Sequence, residues 1–482
     1  MKRRRLLLLA VGLLALVGLA IYLLGAPRPV SAIPSAGAQD VPAGQPLRLE
    51  FSAPMLPGDV ESRLRIEPPV QGEYRWEGKT LVFTPAKSWP AGSEVTIHLD
   101  AGARRAGLLP LSMRQDTSWG FKTRRPRLLY LYPSDGPANI YMLVSAAEEP
   151  QQLTNFPAGV MEYHVSAAGD ALFFSARRGQ EGSAVYRLEI AFATSQENEA
   201  DVEAISPEPR LVLECSRAVC HDPQISPQGN YLAFERTAFP GQDEPAYPQV
   251  WLVPLAYEEQ DHFPRLSGEP RLAGEAGHQT LQPAWSPAGW LTFYDTNLAA
   301  FVALKPETGE SIRFPNQTGQ PGSWDPAGLV YVAPEITFVD ANEIDTGLNL
   351  DTIANSYLIR YHRLDGRLER LTQEDDVEDS IPVFSPDGFQ LAFARKFLSI
   401  PKWTPGRQLW LMRSNGSDAY PLTDDPNYNH YDFVWSPGGD ELAFVRFDQT
   451  VLTQPPELWL ATVSTDQMTE LVIGGYAPQW IP

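Results

Sequence analysis

The sequence predicts an all-β chain built mostly from one repeated four-stranded unit. Three observations predict it. Short apolar runs are punctuated by 45 prolines and 36 glycines, which mark turns rather than helices. A Ser-Pro-x-Gly turn or a close variant recurs along most of the chain, and recurrence at this scale signals a repeat architecture. The two ends of the repeat region each carry part of a unit that the other completes. The expected architecture is an N-terminal transmembrane helix, a small β-sandwich and a seven-bladed β-propeller.

The first element is residues 1–26. Lys2, Arg3, Arg4 and Arg5 precede Leu6 to Leu24, an uncharged apolar run. That length spans a bilayer as a helix, whereas the apolar core of a cleaved signal is usually shorter. A Val30-Ser31-Ala32 site fits small-residue cleavage but lies behind Pro27 and Pro29. The expectation is therefore an uncleaved signal anchor. Its basic flank faces the cytoplasm, and the bulk of the chain is periplasmic or extracellular.

Residues 27–37, PRPVSAIPSAG, read as a linker. Residues 38–124 alternate in short runs, among them Pro46 to Phe51, Thr80 to Thr84 and Glu94 to Leu99. Gly and Pro interrupt them at short intervals, the pattern of an antiparallel sandwich. The stretches QDVPAGQPLRLEFSAPM, LVFTPAKSWPAGSEVTIHL and SWGFKT resemble the SbsA-type Ig-like domain of bacterial surface proteins. The resemblance implies a spacer or adhesion module, with Met55 and Trp119 as core or turn residues.

Residues 125–482 hold the repeats. The turns begin at Ser166, Ser226, Ser286, Asp325, Ser385 and Ser436, spaced by 60, 60, 39, 60 and 51 residues. Pro presets φ at the second position and Gly accepts a left-handed conformation at the fourth. An apolar strand follows each turn (LFFSA, LAFER, LTFYD, LVYVA, LAFAR, LAFVR), then a second apolar strand and a weaker outer one. Leu128 to Ser134 and the segment after it lack a first strand, and Tyr476 to Pro482 is a first strand with no successor. Joined, they complete a seventh unit and remove two free edges. The run from Pro382 to Phe393, PVFSPDGFQLAF, and less fully Pro283 to Phe293, resembles the TolB-like (WD40-like) propellers of bacterial envelopes. The familiar envelope member has six blades and a different amino-terminal domain.

In such a unit the first strand lines a central channel. The residues leading into the first strands are polar: Glu162 and Tyr163, His221 and Asp222, His278, Glu378 and Asp379, and His430, Tyr431 and Asp432. A polar ring around a concave mouth is the default ligand site, although propeller channels are polar whatever they bind. Long second-to-third-strand loops reach the same face at 237–248, 334–356, 396–407 and 447–456. They carry Phe239, Tyr247, Phe338, Phe397 and Trp403. Two more loops, 191–208 and 256–269, lie on the opposite face.

Charge and motifs bound the function. The net charge is −21, and without the four basic residues near the start it is −25. A body this acidic repels phosphate backbones, so nucleic acid is not an expected partner. The acid keeps an exported protein soluble, and acidic loops offer places for Ca²⁺ or a cationic ligand. No cofactor is otherwise implied. Cys215 and Cys220 fit either a local disulfide or two buried thiols. There is no CxxC, HExxH, phosphate loop, Rossmann fingerprint or G-x-S-x-G elbow. Asp340 to Asp351 departs from an EF-hand loop at its fifth and sixth positions. The expected function is a non-catalytic, membrane-anchored binding or scaffold protein of the bacterial envelope, with a protein or glycan partner. A hydrolase or lyase acting at the channel mouth on a glycan or peptide, and a purely structural surface protein, are the alternatives.

Overall fold

Local alternation and turn chemistry produce strands almost everywhere in the computed structural model. It describes residues 25–42, 44–85, 89–107, 111–144, 149–179, 182–190, 208–242, 244–257, 263–340, 344 and 351–481. Among the described residues, helix is confined to Pro57–Glu61 and a 3-10 turn at Ile400–Lys402. Leu6 to Leu24 lies outside the described residues. Among those that are described, no helix is long and apolar enough to cross a membrane. The chain divides into two compact units, and the division falls between Arg125 and Pro126.

The first unit is a sandwich of two antiparallel sheets. One runs Pro29–Ile33, Leu47–Phe51, Thr80–Pro85, Gly72–Glu77, and the other Leu64–Glu67, Glu94–Leu99, Thr117–Lys122. Leu47, Leu49 and Phe51 point inward with the period of two that a half-buried strand requires. They meet Phe83, Ile97, Phe121 and the fully buried Trp89. The Trp89 indole N–H donates to the Gln45 carbonyl at 2.7 Å. Met55 and Trp119 are buried in this core. One expectation fails here. Pro29–Ile33, read as linker, pairs with Leu47–Phe51 as an edge strand. Val30 and Ile33 remain exposed, so the strand is held through its backbone and carries no alternation to betray it.

The second unit is a succession of antiparallel sheets. Sheet I is Gln151–Gln152, Asn139–Leu143, Arg127–Tyr132, Tyr476–Ile481. Sheet II is Val160–Val165, Ala171–Arg177, Gly182–Glu189, Arg210–Ser216. Sheet III is Ala218–Ile225, Tyr231–Ala238, Gln249–Tyr257, Pro264–Leu266, with Arg271–Leu272 also on its third strand. Sheet IV is Thr280–Trp285, Leu291–Asp295, Ala300–Lys305, Glu310–Pro315. Sheet V has eight strands. Its first half is Ser323–Trp324, Val330–Asp340, Thr352–His362, Leu368–Arg370. Its second half is Val377–Phe384, Gln390–Phe397, Gln408–Arg413, Tyr420–Pro421. One parallel pair, Ser356 with Glu378, joins the halves. Sheet VI is Tyr428–Trp435, Glu441–Asp448, Glu457–Thr462, Gln467–Ile473.

The turns explain why each unit starts where it does. Gly169, Gly229, Gly289, Gly328, Gly388 and Gly439 all have φ between 65° and 75°, the left-handed region open to glycine. The residue that opens each turn also works. Ser166, Ser226, Ser385 and Ser436 accept through Oγ from the backbone N–H that starts the next strand, Asp325 does so through Oδ1, and Ser286 Oγ accepts from Trp290 N–H, one residue before its strand.

Sheet I closes the circuit. Leu131 pairs with Tyr476 and Arg127 with Ile481. The disulfide also forms. Cys215 lies one residue from the end of the outer strand of sheet II, Cys220 lies in the first strand of sheet III, and the two are bonded. The stretch 334–356 is not the loop expected. Its strands stay paired from Val330–His362 out to Asp340–Thr352, because Ile, Thr, Phe and Val extend the β pattern. Residues 191–207, 258–262, 341–343 and 345–350, in which the acidic loops and most of Asp340 to Asp351 fall, lie outside the described residues.

Candidate functional site

First strands of neighbouring sheets pack side by side: Val160–Val165 touches Ala218–Ile225 and Tyr476–Ile481, and Tyr428–Trp435 touches Val377–Phe384 and Tyr476–Ile481. A shared irregularity orients their side chains. Each of five strands shifts register by a bulge, and each bulge holds one residue with positive φ. These are Asp222 (48°), Gln282 (59°), Ile381 (53°), Asp432 (51°) and Ala477 (50°). A bulge re-aims the residues beside it and breaks the strand's alternation. It also turns a backbone N–H toward the neighbouring sheet, and a carboxylate of that neighbour accepts it. Asp222 N–H donates to Glu162 Oε2 at 2.6 Å, and Gln282 N–H to Glu235 Oε1 at 2.6 Å. Ala477 N–H likewise bonds the Asp432 carboxylate.

The densest polar cluster spans sheets II and III. His221 Nδ1 lies 3.3 Å from Glu162 Oε2, and its Nε2 3.4 Å from Glu235 Oε2. Asp222 Oδ1 accepts from Gln224 Nε2 at 2.6 Å. The hydrogen bond to Glu162 raises the His221 pKa above its ordinary value; burial opposes it, and the surrounding carboxylates assist. Burial would raise Glu162, but His221 and the Asp222 N–H hold it lower than usual. Burial also raises Glu235. Asp222 is pushed up to about 7, first by burial, against the Gln224 hydrogen bond, and further by the charges of Glu162 and Glu235.

This has a pH consequence. The unfolded chain releases the Asp222 proton near 3.8, while the folded chain keeps it to about 7. The native state is therefore undisturbed below the lower value and disfavoured as pH rises through that window. His221, raised in the fold, contributes stability below its ordinary value of 6.5 and loses it at higher pH, in the same direction. Asp222→Asn keeps a residue that tolerates positive φ. It is expected to stabilise the second unit by about 1–2 kcal/mol at pH 8, the shift being discounted for water in the channel. It should change little at pH 3.5. Urea unfolding at the two pH values reads the difference.

The other expected site residues are distributed differently. Tyr163 is buried, and its hydroxyl donates to the Ala477 carbonyl at 2.7 Å. His278 bonds Asp295 Oδ2 at 2.8 Å, outside the cluster. Glu378 pairs with Arg407 at 2.8 Å. Asp379 is fully buried, and both its oxygens receive Arg395, at 2.7 and 2.8 Å. His430 is fully buried; its Nδ1 bonds the Arg407 carbonyl at 2.9 Å and its ring lies 5.6 Å from that of Phe444. Burial drives its pKa down to about 4. Tyr431 packs against Phe447. Trp403 is 52% exposed, with Lys396 Nζ 5.2 Å from its ring. The three histidines are thus engaged by different partners, and Asp379, His430 and Tyr163 are committed to the scaffold. Among the described residues no group of three or more His, Cys, Asp or Glu side chains is arranged to hold a metal ion.

Glu235 was missed. Its signal was a charge in the apolar run LAFER, on the second strand rather than the first. The indoles of Trp285, Trp435 and Trp480 were missed too. Each donates to a carbonyl of the preceding repeat, Gln224, Val383 and Val434 respectively.

Residues 25–123 match the family described as bacterial Ig-like domain. An α2-macroglobulin homolog from Yersinia pestis is 38% identical over 65 residues, which is 12% of this chain. The match spans only 3% of that relative's length. The structural neighbours include TolB-type β-propeller proteins, and also a prolyl endopeptidase and an oligogalacturonate lyase. TolB from Acinetobacter baumannii is 11% identical, with 87% of this chain and 83% of that one covered and a TM-score of 0.41. A TolB-type protein of Agrobacterium tumefaciens is 17% identical, covering 73% and 91%, with a TM-score of 0.38.

Proposed function

We propose that the chain is a non-catalytic binding or scaffold protein of the bacterial envelope. It is held to the membrane by Leu6 to Leu24, with its bulk outside the cytoplasm and a protein or glycan partner at the channel mouth. In this reading the two halves of sheet V are separate blades, and with sheets I to IV and VI the ring has seven. One observation carries it: the channel acids spend their hydrogen bonds on neighbouring backbone. Glu162 and Glu235 each hold a bulge N–H of the next sheet, which builds a fixed polar surface rather than a mobile acid or base. The Cys215–Cys220 disulfide supports an oxidising compartment. The basic cluster before the apolar run supports the orientation.

The test is crosslinking and capture from solubilised membranes with the full chain. A specific protein or glycan is expected, with recovery reduced by Glu162→Gln together with Trp403→Ala. Capture of nothing under crosslinking would count against the reading.

A second reading is favoured by Asp222 alone. A carboxyl held at about 7 beside a histidine suits general acid–base work. It requires turnover of a glycan or peptide that disappears in Asp222→Asn and in His221→Gln.

A further inference from the structure

First strands in the second unit run six to eight residues, with one exception among the described residues. Each of them covers most of the second strand beside it. The exception is the first half of sheet V. Its first strand is 2 residues, Ser323–Trp324, while its second, Val330–Asp340, has 11. On that side only Tyr331 and Val332 are paired. The chain before Ser323 carries Gly319, Pro321 and Gly322, which suit a turn and interrupt a strand.

The long second strand therefore presents an open edge. Backbone groups point alternately to the two sides of a strand. Pro334 turns its carbonyl to the first-strand side, where Asn316 Nδ2 and Thr318 Oγ1 donate to it at 2.7 and 2.9 Å. Ile336, Phe338 and Asp340 face the same side by that alternation. The Ile336 N–H is answered by the Glu335 carboxylate at 2.8 Å. Beyond it the ladder is open: the Ile336 carbonyl and the Phe338 N–H and carbonyl have no partner among the described residues. The opposite side is occupied, since the register with the third strand continues unbroken to Asp340–Thr352.

Proteins usually blunt such an edge with Lys, Pro or a bulge. Residues 336–340, ITFVD, have none of these, and Phe338 is 68% exposed. A row of donors and acceptors at strand spacing specifies its occupant, because only another extended backbone matches it. Charge narrows the choice. Between Arg313 and Arg360 the sequence has no Lys or Arg, and the hairpin carries Glu335, Asp340 and Asp351. A second copy would set this acidic edge against itself, whereas a basic strand complements it.

We propose that residues 336–340 receive an extended, basic segment of a partner protein as an added strand, in the position that a full first strand holds in the other sheets. This names the chemistry of the protein partner proposed above and rests on that reading.

The probe is a capped, fluorophore-labelled peptide KVTVTVK, titrated into the solubilised full chain at pH 7.5 and followed by anisotropy. Saturable binding is expected. The same peptide with Glu at both ends should bind about tenfold more weakly, and one with Pro at the central position about tenfold more weakly again for its lost donor and broken extension. Phe338→Ala keeps the edge N–H, and Phe338→Pro removes it without touching a bond to the third strand. Phe338→Pro is expected to bind about fivefold more weakly than Phe338→Ala. Thermal midpoints are measured alongside, and if Phe338→Pro does not fold, the two altered peptides decide. Absence of saturation overturns the proposal, as does equal binding by the altered peptides or by the two folded variants. A dimer in sedimentation that Phe338→Pro abolishes would assign the edge to a second copy and overturn it too. Capture of a membrane partner that Phe338→Pro leaves undiminished would retain the partner reading and overturn this inference alone.

Discussion

Substituting methionine for Arg395 is expected to cost about 3–5 kcal/mol of stability in the second unit, the typical result of removing one partner from a buried ion pair. Arg395 is 2% exposed and Asp379 fully buried. Two hydrogen bonds, at 2.7 and 2.8 Å, join them, and Glu374 adds two at 3.1 Å. Without the guanidinium, Asp379 is left as a buried charge with the Thr372 hydrogen bond but no counter-charge, and with Glu374 repelling it. Its alternative, taking up a proton, costs as well. Arg395→Met with Asp379→Leu should recover most of the loss, since a well-packed apolar pair often matches a buried ionic one. Urea unfolding followed by tryptophan fluorescence measures both variants. A single variant as stable as the parent would show that the pair carries nothing.

The second large effect concerns closure. Deleting residues 476–482 removes the strand paired with Arg127–Tyr132. It also removes Ile481, buried against Leu129 and Leu131, and the Ala477 carbonyl and Gln479 amide that tie sheet I to sheet II. Lost apolar burial and a newly open strand edge act together. The expected cost exceeds about 5 kcal/mol when several buried side chains lose their cover at once. Limited proteolysis should then cut first within 126–159, and the deleted strand supplied as a peptide should restore protection.

These residues show what the sequence disclosed. The turns were legible because their chemistry is local: Pro sets one torsion and Gly tolerates another, within four residues. Closure was legible for the same reason, since a first strand at one end answers a missing first strand at the other. The site was legible only in part. Glu162, His221 and Asp222 do meet. His430 and Asp379 sit in equally polar segments and turn inward instead. The strands of His221, Asp379 and His430 all carry the bulge, and the difference is the place relative to it: His221 immediately precedes the bulge residue Asp222, whereas Asp379 and His430 stand two positions before Ile381 and Asp432. Polarity at the strand entry alone does not separate these positions, which is why His430 was expected at the mouth. Glu235 was out of reach for another reason, because its partners His221 and Gln282 come from two different first strands.

Closure also sets a schedule. The Tyr163 hydroxyl and its acceptor on Ala477 are 314 positions apart. Sheets II to VI draw on contiguous chain and can assemble as it is made. Sheet I cannot, because the strand Tyr476–Ile481 that pairs with Arg127–Tyr132 is made only after sheets II to VI. Until then Leu129 and Leu131 have no cover on that side, and contacts of such long range form slowly. A chain in this state carries an exposed apolar edge, the usual route to aggregation. The chain must therefore be shielded until Tyr476–Ile481 has been made, and the docking of that strand marks the point at which shielding can end.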